Sequence, residues 1–412
     1  MKNKTHISPS YRWVIFTVCF LTLTVGYANM GIWSMVISSV CETFHISATQ
    51  AQLGNSFLLA GYAIGSFVLG GFLSPKMGQK KAGSVGLILF LIGTFGMYFC
   101  NSFGLVLALR FLQGWGIIWG INVGLTAAWF PVKNRGLASG LVGAGLTLGT
   151  GFGGYFGNRL WNLFGDWRAC IVNGGFLWLA FIVLYLLLAK DAPKDLYPDE
   201  AVAAEKKVPV SKRNVWTMPG AWLCTIALFC VCWMCCGFQT TLPSYLATLG
   251  YTTEQSGSAM LWNGLIGLAM TPIGGALSDA FIARGGSQLR SRANCMTAGF
   301  LVTAAAIVIC PMAAPMGFGA VMATALLHGV GGPVANASIG ALPLDLLVDQ
   351  SLADKMFGMT CLVGLSGGII APLVVSAVME RAGWTAGMVV TALGAVAGIV
   401  VGTIMPKFKQ SV

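Results

Sequence analysis

Charged side chains are scarce in this sequence. Only 9% of its 412 residues are Asp, Glu, Lys or Arg, while 56% are hydrophobic. Soluble domains carry about 25% charged residues, so the composition excludes an ordinary water-soluble fold and indicates a protein embedded in a lipid bilayer. The formal net charge of +11 does not indicate nucleic-acid binding, because basic loops on one side of a membrane produce the same total.

The sequence also lacks acidic side chains in its apolar segments and cysteines in its loops. All 13 Asp and Glu residues fall in predicted loops or at helix ends, with Asp279 and Glu380 nearest to an apolar segment. Proton relays in membranes run through buried Asp, Glu or His, so we expect no carboxylate-based proton site. The 12 cysteines lie almost entirely in apolar segments, which excludes a disulfide framework. Cys232 and Cys235 form a C-x-x-C that we expect to pack helix against helix.

Twelve apolar segments are each long enough to cross a bilayer, which takes about 20 mostly apolar residues. The predicted spans are 13–37, 50–73, 82–101, 104–129, 136–161, 169–189, 219–243, 255–280, 294–312, 315–338, 356–379 and 384–405. The polar stretch between the sixth and seventh spans is rich in charge and proline, so no helix could bury it in lipid. We therefore predict an all-α membrane protein with twelve transmembrane helices in two six-helix pseudo-repeats. The N-terminal half is predicted at 1–190, a cytoplasmic linker at 191–218 and the C-terminal half at 219–412.

Basic residues are distributed unevenly among the predicted loops. Of the 24 Lys and Arg residues, 20 lie on the side that also holds both termini and the linker. Cytoplasmic loops are enriched in Lys and Arg, so we expect both termini in the cytoplasm and the protein in the plasma membrane, which in bacteria is the inner membrane. The lipid bilayer is then a partner and nucleic acid is not, and we expect a monomer.

A short repeat marks the ends of the second and eighth spans. The sequence Gly70-Gly71-Phe72-Leu73-Ser74-Pro75 is followed, 204 residues later, by Gly274-Gly275-Ala276-Leu277-Ser278-Asp279, and four of the six positions match. Parallel repeats of this kind are typical of transporters whose two halves rock about a central site.

The loops at these two places carry the glycines and charges of a family signature, namely Gly71, Lys76, Gly78, Lys80, Gly275 and Asp279. The fourth span adds Arg110-Phe111-Leu112-Gln113-Gly114-Trp115-Gly116. On these motifs the sequence resembles the major facilitator superfamily, and it is most like the organic-anion carrier branches, which include oxalate/formate exchangers and anion:cation symporters. The resemblance implies alternating access between two halves, with the six signature residues acting as gates. The resemblance to oxalate exchangers implies basic residues in the eighth and eleventh spans that bind the oxalate dianion. No Lys or Arg lies inside either span, so oxalate is not predicted as the substrate.

Arg110 is the only basic residue well inside a predicted span. A charge there costs about 2.5–3.5 kcal/mol on insertion scales, so it needs a partner or water. Guanidinium groups suit carboxylates, and one interpretation is therefore an anion-binding or coupling residue that faces a central cavity. The other interpretation is a structural arginine bonded to backbone carbonyls of the first and fifth helices.

Polar and aromatic residues at mid-span depth predict the rest of a substrate-binding cavity: Tyr27, Asn29, Trp33, Trp119, Asn122, Gln239, Trp262 and Asn263. Aromatic walls with a few hydrogen-bonding groups are typical of small-molecule sites. His328, in the tenth span, is a candidate coupling residue because histidine titrates near neutral pH. The pairs Gly61-x-x-x-Gly65 and Gly120-x-x-x-Gly124 predict close contacts between helices.

These features predict a secondary active transporter and not an enzyme, because no catalytic constellation accompanies the spans. We expect it to move a small organic anion of the monocarboxylate type by alternating access, as symport with a coupling ion or as exchange. The alternative is a transporter of a neutral or zwitterionic solute, with Arg110 structural. No cofactor and no metal are expected.

Overall fold

The structure, a computed structural model, describes residues 8–193, 196, 214–346 and 352–407. Over these residues the chain forms twelve helices of membrane-spanning length and no β-strand, as the apolar runs predict. Within the same part of the chain, eleven helices are long and apolar enough by themselves to cross a membrane. The fifth helix is the exception, because six of the 20 residues in its longer part are glycine, which lowers its hydropathy but not its length.

The first half contains helices α1 to α6. Their bounds are Arg12–Phe44, Ala48–Met77, Gln79–Phe99, Phe103–Trp129, Val132–Gly143 continued by Gly145–Phe164, and Trp167–Leu188. α2 begins with a capping box, in which the Ser47 side chain accepts from Gln50 N and the Gln50 side chain accepts from Ser47 N, so two otherwise unpaired donors are satisfied.

The second half contains helices α7 to α12. Their bounds are Pro219–Thr248, Thr253–Ala283, Gln288–Met316, Phe318–Leu346, Ala353–Gly364 continued by Ser366–Ala382, and Trp384–Lys407. α8 starts with the same capping box as α2, here made by Thr252 and Gln255. Most of the predicted linker at 191–218 lies outside the described residues, so the division into 1–190 and 219–412 stays a prediction.

The two halves repeat the same packing. In the first half α1 packs on α5 and α2 packs on α4, and in the second half α7 packs on α11 and α8 packs on α10. Each of these pairs becomes the other when six is added to the helix number. The apolar side chains accordingly form two main clusters, one within Ile15–Ala189, joined by Leu365, and one within Val215–Met405. This packing is that of two six-helix pseudo-repeats.

The halves meet through α5 on α8 and through α2 on α11, which are again equivalent pairs. Glycines make the first contact close, because a Cβ added to Gly151 would lie 2.8 Å from the Cα of Gly264. The second contact is hydrogen-bonded, with Ser56 Oγ donating to Ile369 O over 2.6 Å. Beside it, α2 also bonds to α7, where Gln52 Nε2 donates to Thr240 O over 3.0 Å.

These contacts lie toward one end of the bundle. We call the end where α1 begins and α12 ends the terminal face, and the opposite end the distal face. At the distal face the halves are also joined by Thr49 N donating to Glu380 Oε1 over 2.8 Å and by Arg159 and Glu254, whose charged atoms are 3.5 Å apart. Toward the terminal face, Gly71 of α2 and Gly275 of α8 have no heavy atom within 4 Å of an added Cβ. The hydrogen bonds and the ion pair described between the halves therefore lie toward the distal face.

Candidate functional site

A cavity lies between the halves at mid-bundle depth, on the terminal side of the α2–α11 contact. The empty space among its lining side chains is about 790 Å³, with the solvent at its mouth included. Its wall comes from both halves and is largely apolar. The polar or aromatic lining residues are Tyr27, Tyr62, Trp119, Thr147, Gln239, Asn263, His328 and Asn336.

Three of the predicted residues form a hydrogen-bonded chain on the wall made by the second half. Gln239 Nε2 of α7 donates to Asn263 Oδ1 of α8 over 3.3 Å, and Asn263 Nδ2 lies 2.9 Å from His328 Nδ1 of α10. The His328 ring also stacks on Phe238, with centroids 4.5 Å apart and an angle of 22° between the planes. Three helices thus hold one imidazole in a single orientation.

Aromatic residues form the opposite wall. Tyr27 of α1 and Tyr62 of α2 meet edge to face with ring centroids 6.3 Å apart, and Trp119 of α4 also lines the cavity. The sequence interpretation included Tyr27 and Trp119 but missed Tyr62. The signal was present, because Tyr62 is a phenol at mid-span depth on a glycine-rich stretch of α2.

Cysteines contribute more to this wall than the sequence interpretation allowed. Cys232, Cys235 and Cys236 of α7 all line the cavity, so the prediction that the C-x-x-C only packs helix against helix is incomplete. Their sulfur atoms do also pack against neighbouring helices: a Cβ on Gly332 or on Gly368 would lie 3.0 Å from the sulfur of Cys235 or Cys236, respectively. One thiol can serve both purposes because cysteine is small and weakly polar.

Arg110 does not line this cavity. Its side chain is fully buried between α4, α2 and α1, where Nε donates to Gly54 O over 3.1 Å and Nη2 donates to Asn55 Oδ1 over 2.8 Å. Nη1 donates to Gln113 Oε1 over 3.0 Å and, more weakly, to Asn29 O over 3.5 Å. These are the contacts of a structural arginine, but the carbonyls lie on α1 and α2, whereas the sequence interpretation placed them on the first and fifth helices. Among the described residues no carboxylate pairs with it.

Two predicted cavity residues belong to this buried cluster instead. The Trp33 ring covers the guanidinium, whose central carbon lies 4.7 Å from the ring centroid, and Trp33 Nε1 donates to Ala51 O over 3.1 Å. Asn29 is buried, and neither polar side-chain atom has a hydrogen-bond partner in the described part of the chain. The prediction that Asn29 and Trp33 line the cavity is therefore corrected, because the close α1–α2–α4 packing encloses them.

Two further predicted residues also lie elsewhere. Asn122 Nδ2 donates to Cys19 O and to Thr22 Oγ1, both over 3.1 Å, and so ties α4 to α1. Trp262 is 52% exposed on the outer surface of the bundle. Successive helical residues point about 100° apart, so only one of Trp262 and Asn263 can face inward. The structure shows that it is Asn263.

The predicted gating residues lie at the terminal face. Lys76 is exposed, and Gly71 has open space around it. Gly78 has φ of +90° and leaves no room for a side chain, because an added Cβ would lie 2.4 Å from Asp191 Oδ2. Asp191 also accepts from Lys80 N over 2.9 Å, so this carboxylate stabilises the N-terminus of α3.

The corresponding loop of the second half carries a charge cluster. Arg292 of α9 pairs with Asp279 over 2.8 Å and with Asp345 of α10 over 3.2 Å. Burial raises the pKa of the Asp345 carboxyl, and the Arg292 guanidinium opposes that shift. Gly275 has open space beside it. Both loops therefore make their described contacts within their own half, and whether they gate transport stays a prediction.

A family model described as Major Facilitator Superfamily matches residues 18–289, about two thirds of the chain. The chain belongs to this superfamily, and it is a multi-pass integral membrane protein. A solved structure of a bacterial homolog to the human lysosomal transporter Spinster, in an inward-facing and unoccupied conformation, has the same fold. Its TM-score is 0.76 at 15% identity, over 98% of this chain and all of that one.

Two curated relatives match this chain over different shares of their own length. The chain is 27% identical over 307 residues to a chloroplastic ascorbate transporter of Arabidopsis thaliana, matching 70% of this chain and 56% of that protein. It is 25% identical over 393 residues to a probable sulfoacetate transporter of Cupriavidus necator, matching 90% and 88% of the two chains. The match therefore spans little more than half of the plant protein but most of the bacterial one.

Proposed function

We propose that this protein is a secondary active transporter of a small organic anion, which binds in the cavity between the halves and crosses the membrane by alternating access. The observation that carries the proposal is a buried positive charge beside a cavity without charges. Among the described residues, no Asp, Glu, Lys or Arg lines the cavity, and Arg110 has no acidic partner. A cation would therefore find no counter-charge in this cavity, whereas an anion would find a favourable field.

The size of this field follows from the geometry of α2. Asn55, which binds the guanidinium, and Tyr62, which lines the cavity, are separated along the helix by a rise of about 10 Å. At that distance, with an effective dielectric constant of about 20, two unit charges interact by about 1.7 kcal/mol. That energy corresponds to roughly a 15-fold preference for an anion over a neutral solute of the same shape. The names of the ascorbate and sulfoacetate relatives agree with an anion.

The sidedness of the proposal rests on the distribution of basic residues. If the terminal face is cytoplasmic, as the excess of Lys and Arg indicates, the conformation joined at the distal face is open toward the cytoplasm. Transport then requires the distal contacts to break and the loops carrying Lys76 and Asp279 to approach the opposite half. Symport and exchange both use this cycle, and the protein works as a monomer in either.

Thermal unfolding of the purified protein tests the substrate class. Sulfoacetate, ascorbate and small monocarboxylates are screened, and each monocarboxylate is compared with its amide, which is a neutral control of nearly the same shape. A ligand at 100 times its Kd stabilises the folded state by about 2.7 kcal/mol. We expect at least one anion to raise the melting temperature and its amide to have much less effect. Equal stabilisation by the amides would contradict the proposal.

Two variants of Arg110 test whether its charge is responsible. Arg110→Lys keeps the charge and loses the planar fork, while Arg110→Gln loses the charge. We expect Arg110→Lys to retain the anion affinity of the folded protein within a few-fold and Arg110→Gln to weaken it by about 15-fold. The same anion affinity in both variants would mean that the arginine is structural only.

A neutral or zwitterionic solute is the second candidate, and the hydrogen bonding of Arg110 favours it. The guanidinium already donates to four acceptors, so none of its bonds needs a substrate. In that case the amides stabilise the protein as well as the acids do, and Arg110→Gln changes the melting temperature but not the solute affinity.

A further inference from the structure

The orientation of the Asn263 amide is determined by its surroundings. Asn263 Nδ2 lies 2.7 Å from the backbone carbonyl of Ala325, and Asn263 Oδ1 accepts from Gln239 Nε2. Exchanging the amide oxygen and nitrogen would place Asn263 Oδ1 2.7 Å from Ala325 O. Neither oxygen carries a hydrogen, so the two would repel each other. The amide nitrogen therefore faces α10, and it has two hydrogens to donate.

This orientation selects the tautomer of His328. One hydrogen of Asn263 Nδ2 goes to Ala325 O, and the other points to His328 Nδ1 at 2.9 Å. An amide nitrogen cannot accept a hydrogen bond, so Nδ1 is the acceptor and carries no proton. A neutral imidazole then has its proton on Nε2.

The remaining nitrogen of this imidazole is a donor without an acceptor. His328 is 1% exposed, lines the cavity, and its Nε2 has no hydrogen-bond partner in the described part of the chain. Leaving a buried donor unpaired costs about 1–3 kcal/mol, and native proteins seldom keep one without a purpose. The stacked Phe238 ring and Asn263 prevent the imidazole from turning toward another acceptor.

We propose that His328 is a substrate-binding residue whose Nε2–H donates to an oxygen of the transported anion, and that Asn263 is a positioning residue which keeps the proton on that nitrogen. This inference rests on the proposed function. It adds a direct hydrogen bond to the anion from the second half of the protein, whereas the charge of Arg110 acts on the anion from the first half. It also assigns His328 a different role from coupling, because a second proton on Nδ1 would face the hydrogens of the Asn263 amide.

The groups around the imidazole support this assignment. The titratable side chains that line the cavity around it are Tyr27 of α1, Tyr62 of α2, and Cys232, Cys235 and Cys236 of α7. On α9, Cys310 lies against Thr324 of α10, one helical turn from His328. None of them is ionised at neutral pH in ordinary circumstances. The described surroundings therefore offer no anionic partner that would stabilise an imidazolium.

Sulfoacetate affinity of a matched pair of variants tests the donor. Gln and Met have the same length, but only Gln offers an N–H close to the position of Nε2. We expect His328→Gln to keep the Kd within about threefold and His328→Met to raise it by roughly 10- to 150-fold, the range for a hydrogen bond to a charged group. Equal affinities in the two variants and the wild type would overturn this inference while the proposed function stands. If sulfoacetate fails to bind the wild type, the same pair of variants is measured with the anion that the thermal-unfolding screen identifies. If no anion binds, the proposed function is contradicted, and the NMR experiment below still decides the tautomer.

The positioning role of Asn263 has its own signature in the pH dependence. In Asn263→Asp the new carboxylate draws a proton onto Nδ1, so Nε2 carries a hydrogen only when the ring is doubly protonated. We expect the Kd for sulfoacetate in this variant to fall as the pH is lowered through the histidine range, and the wild-type Kd to stay nearly constant. Parallel pH profiles for the two proteins would contradict the positioning role.

Nitrogen NMR of labelled histidine measures the tautomer without any ligand. The chain has only three histidines, so His6→Gln and His45→Gln leave His328 as a single reporter. We expect a protonated Nε2 and an unprotonated Nδ1 in this background at neutral pH, and a proton on Nδ1 after Asn263→Asp. A proton on Nδ1 in the background protein would overturn the inference.

Discussion

The contact between α2 and α4 makes one glycine substitution strongly unfavourable. A Cβ on Gly61 would lie 1.9 Å from Phe111 O and 2.8 Å from the Phe111 carbonyl carbon. The same contact is repeated from the other side, where a Cβ on Gly114 would lie 2.0 Å from Leu58 O. Small residues permit such close approach of backbones within a membrane. Gly61→Ala therefore forces the two helices apart, because the obstacle is backbone and not a flexible side chain.

The expected loss of stability has two sources, which are the overpacking at the contact and the weakening of the hydrogen bonds that cross it. The contact has to open from 1.9 Å to about 3.4 Å, the shortest ordinary distance for a Cβ, and overpacking of this kind costs about 1–3 kcal/mol. The hydrogen bonds from Arg110 to Gly54 O and Asn55 Oδ1 cross the same contact, and each bond from a charged donor is worth about 1.5–3 kcal/mol. We expect Gly61→Ala to destabilise the protein by about 3 kcal/mol or more.

The matched controls lie on the same two helices. Gly70 of α2 and Gly120 of α4 have no heavy atom within 4 Å of an added Cβ, so alanine should be neutral there or stabilise by up to about 1 kcal/mol. Thermal unfolding can be followed with a thiol-reactive dye, since the cysteines are free and most are buried. A melting temperature that is lower for Gly61→Ala and unchanged or higher for both controls supports the packing. Similar shifts in all three variants would refute it.

Three other predictions concern the ends of the bundle and the contact between the halves. Arg292→Gln should lower the melting temperature, and more at about pH 8 than at about pH 5. Burial raises the pKa of the Asp345 carboxyl, so without Arg292 the ionisation of this carboxyl costs stability as the pH rises. An equal loss at both pH values would contradict this. Arg159→Gln should leave the melting temperature unchanged at any salt concentration, since the pair with Glu254 is exposed and such pairs contribute little; a clear, salt-sensitive loss would show otherwise. Gly264→Ala should slow transport clearly and lower the melting temperature little, because the added methyl group strains the contact between the halves and leaves the core of each half intact. Uptake rates and thermal unfolding, measured on the same preparation, distinguish the two effects.

The helices could be predicted from the sequence because apolar length is a property of the chain alone. All twelve predicted spans correspond to helices, but α1 continues to Phe44, beyond the predicted end at residue 37. The extension leaves the apolar run, so hydropathy gives no sign of it. The glycine pattern was right for Gly61 and wrong for Gly120, which makes no contact. Spacing identifies a small residue but does not say which face of the helix meets a neighbour.

The candidate site was predictable in its residue types and not in their arrangement. Tyr27, Trp119, Gln239, Asn263 and His328 do come together at the cavity. Arg110 and Trp33 belong to the buried cluster instead, because the glycines of α2 and α4 allow the helices to enclose them. Which side of a helix faces the cavity depends on tertiary packing, and a run of apolar residues with a low amphipathic signal does not specify it.

Counterflow in liposomes tests the central claim most directly. Proteoliposomes are loaded with unlabelled sulfoacetate and diluted into a trace of labelled sulfoacetate, with His328→Met and Arg110→Gln as matched preparations. The account predicts transient accumulation of label with the wild type, and slower accumulation with each variant at label concentrations below the wild-type Kd, because one binding contribution is lost in each half. No accumulation of sulfoacetate, ascorbate or any small monocarboxylate with folded wild-type protein, together with accumulation of a neutral solute, would contradict it.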